Sequence, residues 1–196
     1  LPALVGLLGV LTAHPAAVTV VVIGVGLYWL TSTLVAPERG RISDTLWLAA
    51  PGIIGAVLYL PQVFAGSAQA EEVSGWKPVE SEDLDSGWAA AFTMGTRHVH
   101  QLFPGFDPTV LLWLAGLGAV ALVVWRRQVW APLFYAIWLA IAANALAPVG
   151  GPLSGLLTLV GNLHYNTAHR LIFPVALSVA VGAAIGVAVM ILSLIH

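Results

Sequence analysis

A chain of 196 residues with 59% hydrophobic and 8% charged side chains stands far from a soluble domain, where charged residues make up roughly a quarter. Its mean hydropathy of +0.93 makes lipid, not water, the main solvent, and a net charge of −2 without any basic run excludes the phosphate-neutralising surface of a nucleic-acid binder. Cysteine is absent, which removes disulfides, thiolate metal sites and a thiol nucleophile.

Apolar runs close to the roughly 20 residues that cross a bilayer core of about 30 Å take up most of the length. Inside lipid every backbone N–H and C=O needs a partner within its own segment or in a closed barrel, and these runs lack the period-2 alternation of barrel strands. The expected fold is all-α, a polytopic transmembrane bundle of five complete spans plus one truncated N-terminal span. That truncated span, about residues 1–12, opens inside an apolar run and stops at Ala13-His14-Pro15, where proline disfavours helix in the preceding residue and suits the first turn of the next one. A second span covers about 16–36 and is followed by the short polar stretch Pro37 to Asp44. A third covers about 45–64, with Pro51 expected to kink it by freeing the carbonyl of Trp47.

A long polar loop, 65–108, separates this half from the fourth span, about 109–125, which ends at Arg126-Arg127-Gln128. The fifth span, about 129–147, forms a helical hairpin with the fourth. An outer re-entrant or interfacial segment, 148–170, then leads into the last span, about 171–191. Leu192-Ser193-Leu194-Ile195-His196 resembles a translated sequencing adapter and is set aside as a non-native tail.

The two shortest connections carry Arg39 and Arg41, and Arg126 and Arg127, so the positive-inside rule makes both cytoplasmic. Alternation then puts the His14 turn, the long loop and the 148–170 segment outside, in a multi-pass plasma-membrane protein. The long loop bears Glu71, Glu72, Glu80, Glu82, Asp83, Asp85 and Asp107 against Lys77 and Arg97, the opposite bias from the inner connections. Trp29, Trp47, Trp113, Trp125, Trp130 and Trp138 lie in the spans, several near their ends as interfacial anchors.

The densest polar signal is Asn162-Leu163-His164-Tyr165-Asn166-Thr167-Ala168-His169-Arg170, directly before an apolar span. As a helix it stacks Tyr165 with His169 and Asn166 with Arg170 at i,i+4. Arginine offers a planar fork for phosphate, and histidine and asparagine add donors, so a lipid phosphate or pyrophosphate is the ligand that the band suits. The competing reading is an interfacial cap in which Arg170 snorkels to ordinary headgroups and Tyr165 anchors the helix. Upstream, Leu153, Leu156, Leu157 and Val160 recur at helical spacing with Ser154, Thr158 and Gly161 between them, a short helix in the outer interface that covers a lipid-facing groove or packs as a loop helix.

Arg97-His98-Val99-His100 aligns two histidines at i and i+2 on an extended backbone but not on a helix, and no third ligand is placed, so a polar loop surface is the better reading. Glu80 to Gly87 fails as a calcium loop, because its glycine falls one place early and Met94 stands where the bidentate glutamate belongs. No cofactor is expected; a divalent cation has no support beyond that acidic run. Gly182-Ala183-Ala184-Ile185-Gly186 is a small-residue pattern for close helix approach.

The Ala13-His14-Pro15 turn and the Tyr165-Asn166 … His169-Arg170-Leu171 run resemble a family of uncharacterised actinobacterial multi-pass membrane proteins. Its architecture is similar to that of GT-C glycosyltransferases, which transfer sugar from a polyprenyl-phosphate donor on the outer face of the plasma membrane in cell-envelope assembly. The resemblance implies a C-terminal fragment of such an enzyme and a polyprenyl-phosphate-linked substrate. It also implies that Tyr165, Asn166, His169 and Arg170, with His164 and His14 on the same outer surface, bind lipid phosphate or substrate. The family's acidic catalytic residue belongs in an earlier outer loop, so no catalytic residue is assigned; Glu80, Glu82, Asp83 and Asp85 are the substitutes on offer. The alternatives are a transporter or flippase of a lipid-linked intermediate, against which stands the neutral Asn144 as the main polar group deep in a span, and a non-catalytic membrane subunit. Membrane lipids are the other expected partner.

Overall fold

With so few polar side chains to draw on, the backbone satisfies its own hydrogen bonds by coiling, and every described element is an α-helix, with no strand among the described residues. The computed structural model describes residues 17–35 and 87–195, together with positions 5–6, 9, 46–47, 49–55, 57–58 and 60–61. The chain divides into two units, residues 1–76 and 77–196.

In the first unit, α1 (Ala17–Val35) matches the second predicted span. Thr31 and Thr33 turn their hydroxyls back onto the carbonyls of Leu27 and Trp29, each at 2.8 Å, so neither carries an unpaired donor into lipid. The described positions between 46 and 61, and positions 5, 6 and 9, are helical. The His14 turn, the 37–45 connection and the acidic part of the long loop lie outside the described residues.

The second unit holds α2 (Gly87–Phe92), α3 (Arg97–Leu102), α4 (Thr109–Arg126), α5 (Trp130–Leu146), α6 (Gly151–Asn162) and α7 (Ala168–Ile195). Among the described residues three helices, α1, α4 and α7, are long and apolar enough to cross a membrane; α5 and α6 supply a fourth candidate as a pair bent by 97°. Two corrections concern the segments between spans. The stretch expected as a polar loop contains α2 and α3, each six residues long, too short to display a helical period in sequence. And α7 begins at Ala168, three residues before the expected start, and runs through Ile195 without a break.

The predicted α4–α5 hairpin is splayed, because α7 packs along both helices while they barely touch each other. The reason is a seam of small residues. Cβ atoms added at Gly118 and Gly186 would collide with the backbone carbonyls of Gly182 and Leu114, and one added at Gly182 would sit 3.2 Å from the Ala115 Cα and carbonyl oxygen. Only glycine lets the α4 and α7 backbones come this close, and the Gly182–Gly186 pattern finds its partner here. The outer face of α4, with Val110, Trp113, Val120 and Val124, stays exposed, as a lipid-facing surface does.

The core lies at the far end of α5, where six successive residues, Ile141 to Leu146, are all buried because α2, α6 and α7 enclose that end. Gly87 opens α2 against this end: a Cβ there would lie 2.5 Å from the Ala143 carbonyl oxygen. The glycine that failed as a calcium-loop residue is thus a packing residue. Trp138, expected among the interfacial tryptophans, is fully buried in this core, whereas Trp113 and Trp125 are exposed.

At the start of α4, Asp107 accepts the Thr109 backbone N–H at 2.9 Å and the Thr109 hydroxyl at 2.6 Å. The two bonds hold the Asp107 carboxyl below its ordinary pKa. Since the folded value is the lower one, the cap stabilises the helix above the unfolded pKa of about 4 and is lost as pH falls through the folded value. Protection of the Thr109 amide, corrected for its intrinsic exchange rate, is expected to be full at neutral pH and to decline below about pH 4. An Asp107→Asn protein should show no such acid limb, and an acid limb that persists in it would assign the effect elsewhere.

Candidate functional site

The site grows from the way α6 ends and α7 begins. The Gly161 carbonyl receives two N–H groups, from His164 and Asn166, each at 2.8 Å, which closes α6 and turns the chain back. Tyr165 and Asn166 both take the left-handed conformation, with φ of 60° and 47°; asparagine tolerates it and tyrosine does so at a cost. Thr167 then starts α7, its carbonyl accepting from Arg170 at 3.0 Å and Leu171 at 3.1 Å, and its hydroxyl bonds back to the His164 carbonyl at 3.0 Å.

This turn overrides the helical stacking expected from the sequence: Tyr165 and Asn166 precede α7 and do not share its face with His169 and Arg170. A different pair forms instead. The Arg170 guanidinium lies 4.6 Å from the centre of the Tyr165 ring, a cation–π contact that holds the cation in place. Arg170 and Tyr165 are both exposed. Pro174, one turn on, has no N–H for the carbonyl of Arg170, so backbone polarity concentrates beside the same side chain.

The other predicted residues separate. His164 is buried, edge-on to the Trp138 ring at 5.2 Å; it packs into the core, so its assignment to a headgroup surface is withdrawn. Asn166 directs its Oδ1 against Gly161, where an added Cβ would meet it at 2.6 Å, and that oxygen is buried without a hydrogen-bond partner. His169 lies exposed on the first turn of α7. His14 is outside the described residues.

A second polar centre, only half read from the sequence, joins α5 to α6. Asn144 is 3% exposed, and its side chain is used from both ends. Nδ2 donates to the Thr158 hydroxyl at 3.0 Å and to the Ser154 carbonyl at 3.5 Å. Oδ1 accepts from the Ser154 hydroxyl at 2.7 Å and the Val149 N–H at 3.2 Å. Gly150 and Gly151, at φ of 79° and 69°, supply the left-handed backbone of the bend. The Ser154 and Thr158 stripe of α6 therefore faces α5, while Leu153, Leu156 and Leu159 are exposed. This is the orientation of a helix whose outer medium is lipid, and the expected apolar stripe contributes only Leu157 to the buried side. The signal was in the sequence: a lone Asn in an apolar helix, with Ser and Thr four apart on the next one.

The backbone of Arg97–Leu102 is helical, a geometry in which residues i and i+2 do not share a face, so the paired-histidine metal reading falls. Among the described residues no group of three or more histidine or acidic side chains is arranged to hold a metal ion. No family model, curated protein or solved structure matches the chain.

Proposed function

We propose that the chain is part of a multi-pass plasma-membrane protein that recognises a phosphate-bearing lipid at the α6–α7 turn, and that it serves sugar transfer from a polyprenyl-phosphate donor in cell-envelope glycan assembly. In this reading five complete spans cross the bilayer, and the α6–α7 turn faces outward with the long loop. The observation that carries it is the Arg170–Tyr165 pair. A guanidinium fixed over an aromatic ring, exposed at the first turn of the longest apolar helix, meets an arriving headgroup without first losing side-chain freedom. The positive end of the α7 dipole adds to the attraction for phosphate. His169 stands on the same turn as a further donor.

The test is binding of a polyprenyl phosphate to the full chain in nanodiscs, followed by sugar transfer in the same preparation. Charge-assisted contacts are worth about 1.5–3 kcal/mol, so Arg170→Ala is expected to weaken binding by roughly 10- to 100-fold and to abolish transfer while membrane insertion continues. Tyr165→Leu should weaken binding less, since it frees the cation without removing it. Equal affinity in the unaltered and Arg170→Ala proteins would remove Arg170 from recognition.

One observation favours transport of a lipid-linked intermediate as the second reading. The bent α5–α6 pair, with a buried amide at the bend, is the kind of interrupted helix that transporters use to build a site within the membrane. Flux of the lipid-linked substrate across reconstituted vesicles, with no sugar transferred, would select it over the transferase.

A further inference from the structure

The two ends of the Asn166 amide meet different surroundings. Oδ1 is buried without a hydrogen-bond partner and fills the notch that Gly161 leaves open, 2.6 Å from the place of an added Cβ. There the amide faces the Cα hydrogens of Gly161, which an oxygen accepts weakly and an NH2 group would meet hydrogen to hydrogen. The oxygen therefore points inward. Nδ2 makes no hydrogen bond among the described residues and is not buried, so the half-exposed side chain shows its donor end to the surroundings.

That donor shares a turn with the exposed guanidinium. Tyr165, next to Asn166, lies under Arg170 at 4.6 Å, and the Asn166 side chain shares the Gly161 notch with Leu171, the residue after Arg170. No carboxylate is at hand to answer either group: no Asp or Glu follows Asp107 in the sequence, and Arg170 makes no ion pair among the described residues.

We infer, on the reading of the α6–α7 turn as a phosphate site, that Asn166 is a second phosphate-binding group whose amide is turned by Gly161, and that the site selects a lipid phosphate bearing no cation over the zwitterionic headgroups around it. Guanidinium and amide N–H groups both approach phosphate oxygens as donors. An ammonium or choline group on the same lipid would be brought toward Arg170 with no carboxylate to offset it, and like charges in such a site oppose binding.

The left-handed φ of 47° at Asn166 suits glycine, so Asn166→Gly keeps the turn and removes the amide. In a titration of polyprenyl phosphate into the full chain in phosphatidylcholine nanodiscs, Asn166→Gly is expected to bind about tenfold more weakly. Gly161→Ala should lose a similar factor, because its Cβ expels Oδ1. In the Asn166→Gly background the same alanine should cost nothing further, since the nearest remaining neighbour, Leu171 Cδ1, is 3.8 Å away. Phosphatidic acid placed in the bilayer should compete with polyprenyl phosphate for the unaltered protein, and phosphatidylethanolamine should not.

An equal loss from Gly161→Ala in both backgrounds, or competition by phosphatidylethanolamine as strong as by phosphatidic acid, would overturn the assignment. Competition by inorganic phosphate as strong as by phosphatidic acid would overturn its lipid part. Unchanged binding by Asn166→Gly beside a loss in Arg170→Ala would remove Asn166 and leave the phosphate site standing; unchanged binding in both variants would remove the site itself.

Discussion

Alanine at Gly118 is expected to destabilise the second unit on the order of 3 kcal/mol, an effect that only Gly186 should equal among the described glycines of α4 and α7. The added carbon has nowhere to go: it falls on the Gly182 carbonyl, which belongs to a helix backbone and cannot swing aside. Gly186→Ala meets the Leu114 carbonyl in the same way and should match it, while Gly182→Ala, with its nearest contacts at 3.2 Å on Ala115, should cost clearly less. Gly116 provides the internal control. It lies two residues from Gly118 on the same helix with nothing within 4 Å of an added Cβ, so Gly116→Ala should be neutral or stabilising by up to about 1 kcal/mol through helix propensity. Steric unfolding in mixed micelles, followed by circular dichroism, ranks the four proteins. A Gly118→Ala protein as stable as Gly116→Ala would mean that the α4–α7 contact is not the one that holds the unit together.

Leucine at Asn144 is expected to have the second large effect. It strips partners from the half-buried Ser154 and Thr158 hydroxyls and the Val149 N–H together; a fully buried group left unpaired costs about 1–3 kcal/mol in a protein interior, which is the upper bound here. Within membranes measured values per bond average nearer 0.6 kcal/mol, because the unfolded chain also finds partners there. A total of about 2–3 kcal/mol follows for the network. The loss should concentrate at the bend, and a distance between spin labels on α5 and α6 is expected to broaden in Asn144→Leu. Adding Ser154→Ala and Thr158→Val should recover part of the stability by removing the orphaned hydroxyls. If the triple variant were no more stable than Asn144→Leu alone, the cost would lie in packing around residue 144 and not in its hydrogen bonds.

What was legible in the sequence follows the strength of each physical signal. Long apolar runs gave the membrane class and the α4 and α7 segments, because an unbroken run of that length has few other uses. The Gly182–Gly186 spacing announced a close helix contact without saying with which helix, since spacing marks one side of a seam and not its partner. Pairing α4 with α5 by proximity along the chain was the reasonable expectation, and it failed because glycine placement outweighs a short connection. At the candidate site, residue types were readable and their geometry was not. Two consecutive left-handed residues, one of them tyrosine, have no sequence signature, yet they decide that Arg170 meets Tyr165 and that His164 turns inward to Trp138. The short α2 escaped notice because six residues, Gly87 to Phe92, display less than two turns of pattern, and its role rests on one glycine that touches the α5 backbone.

The wedge position of α7 also bears on how the chain is made. Ribosomes complete α4 and α5 before residue 168 is added, and until then these two helices have little to say to each other, their best surfaces reserved for a neighbour still being synthesised. Assembly of this unit is therefore governed from its C-terminal end. A nascent chain halted ahead of Ala168 should present an unclosed glycine face on α4, a natural handle for quality control.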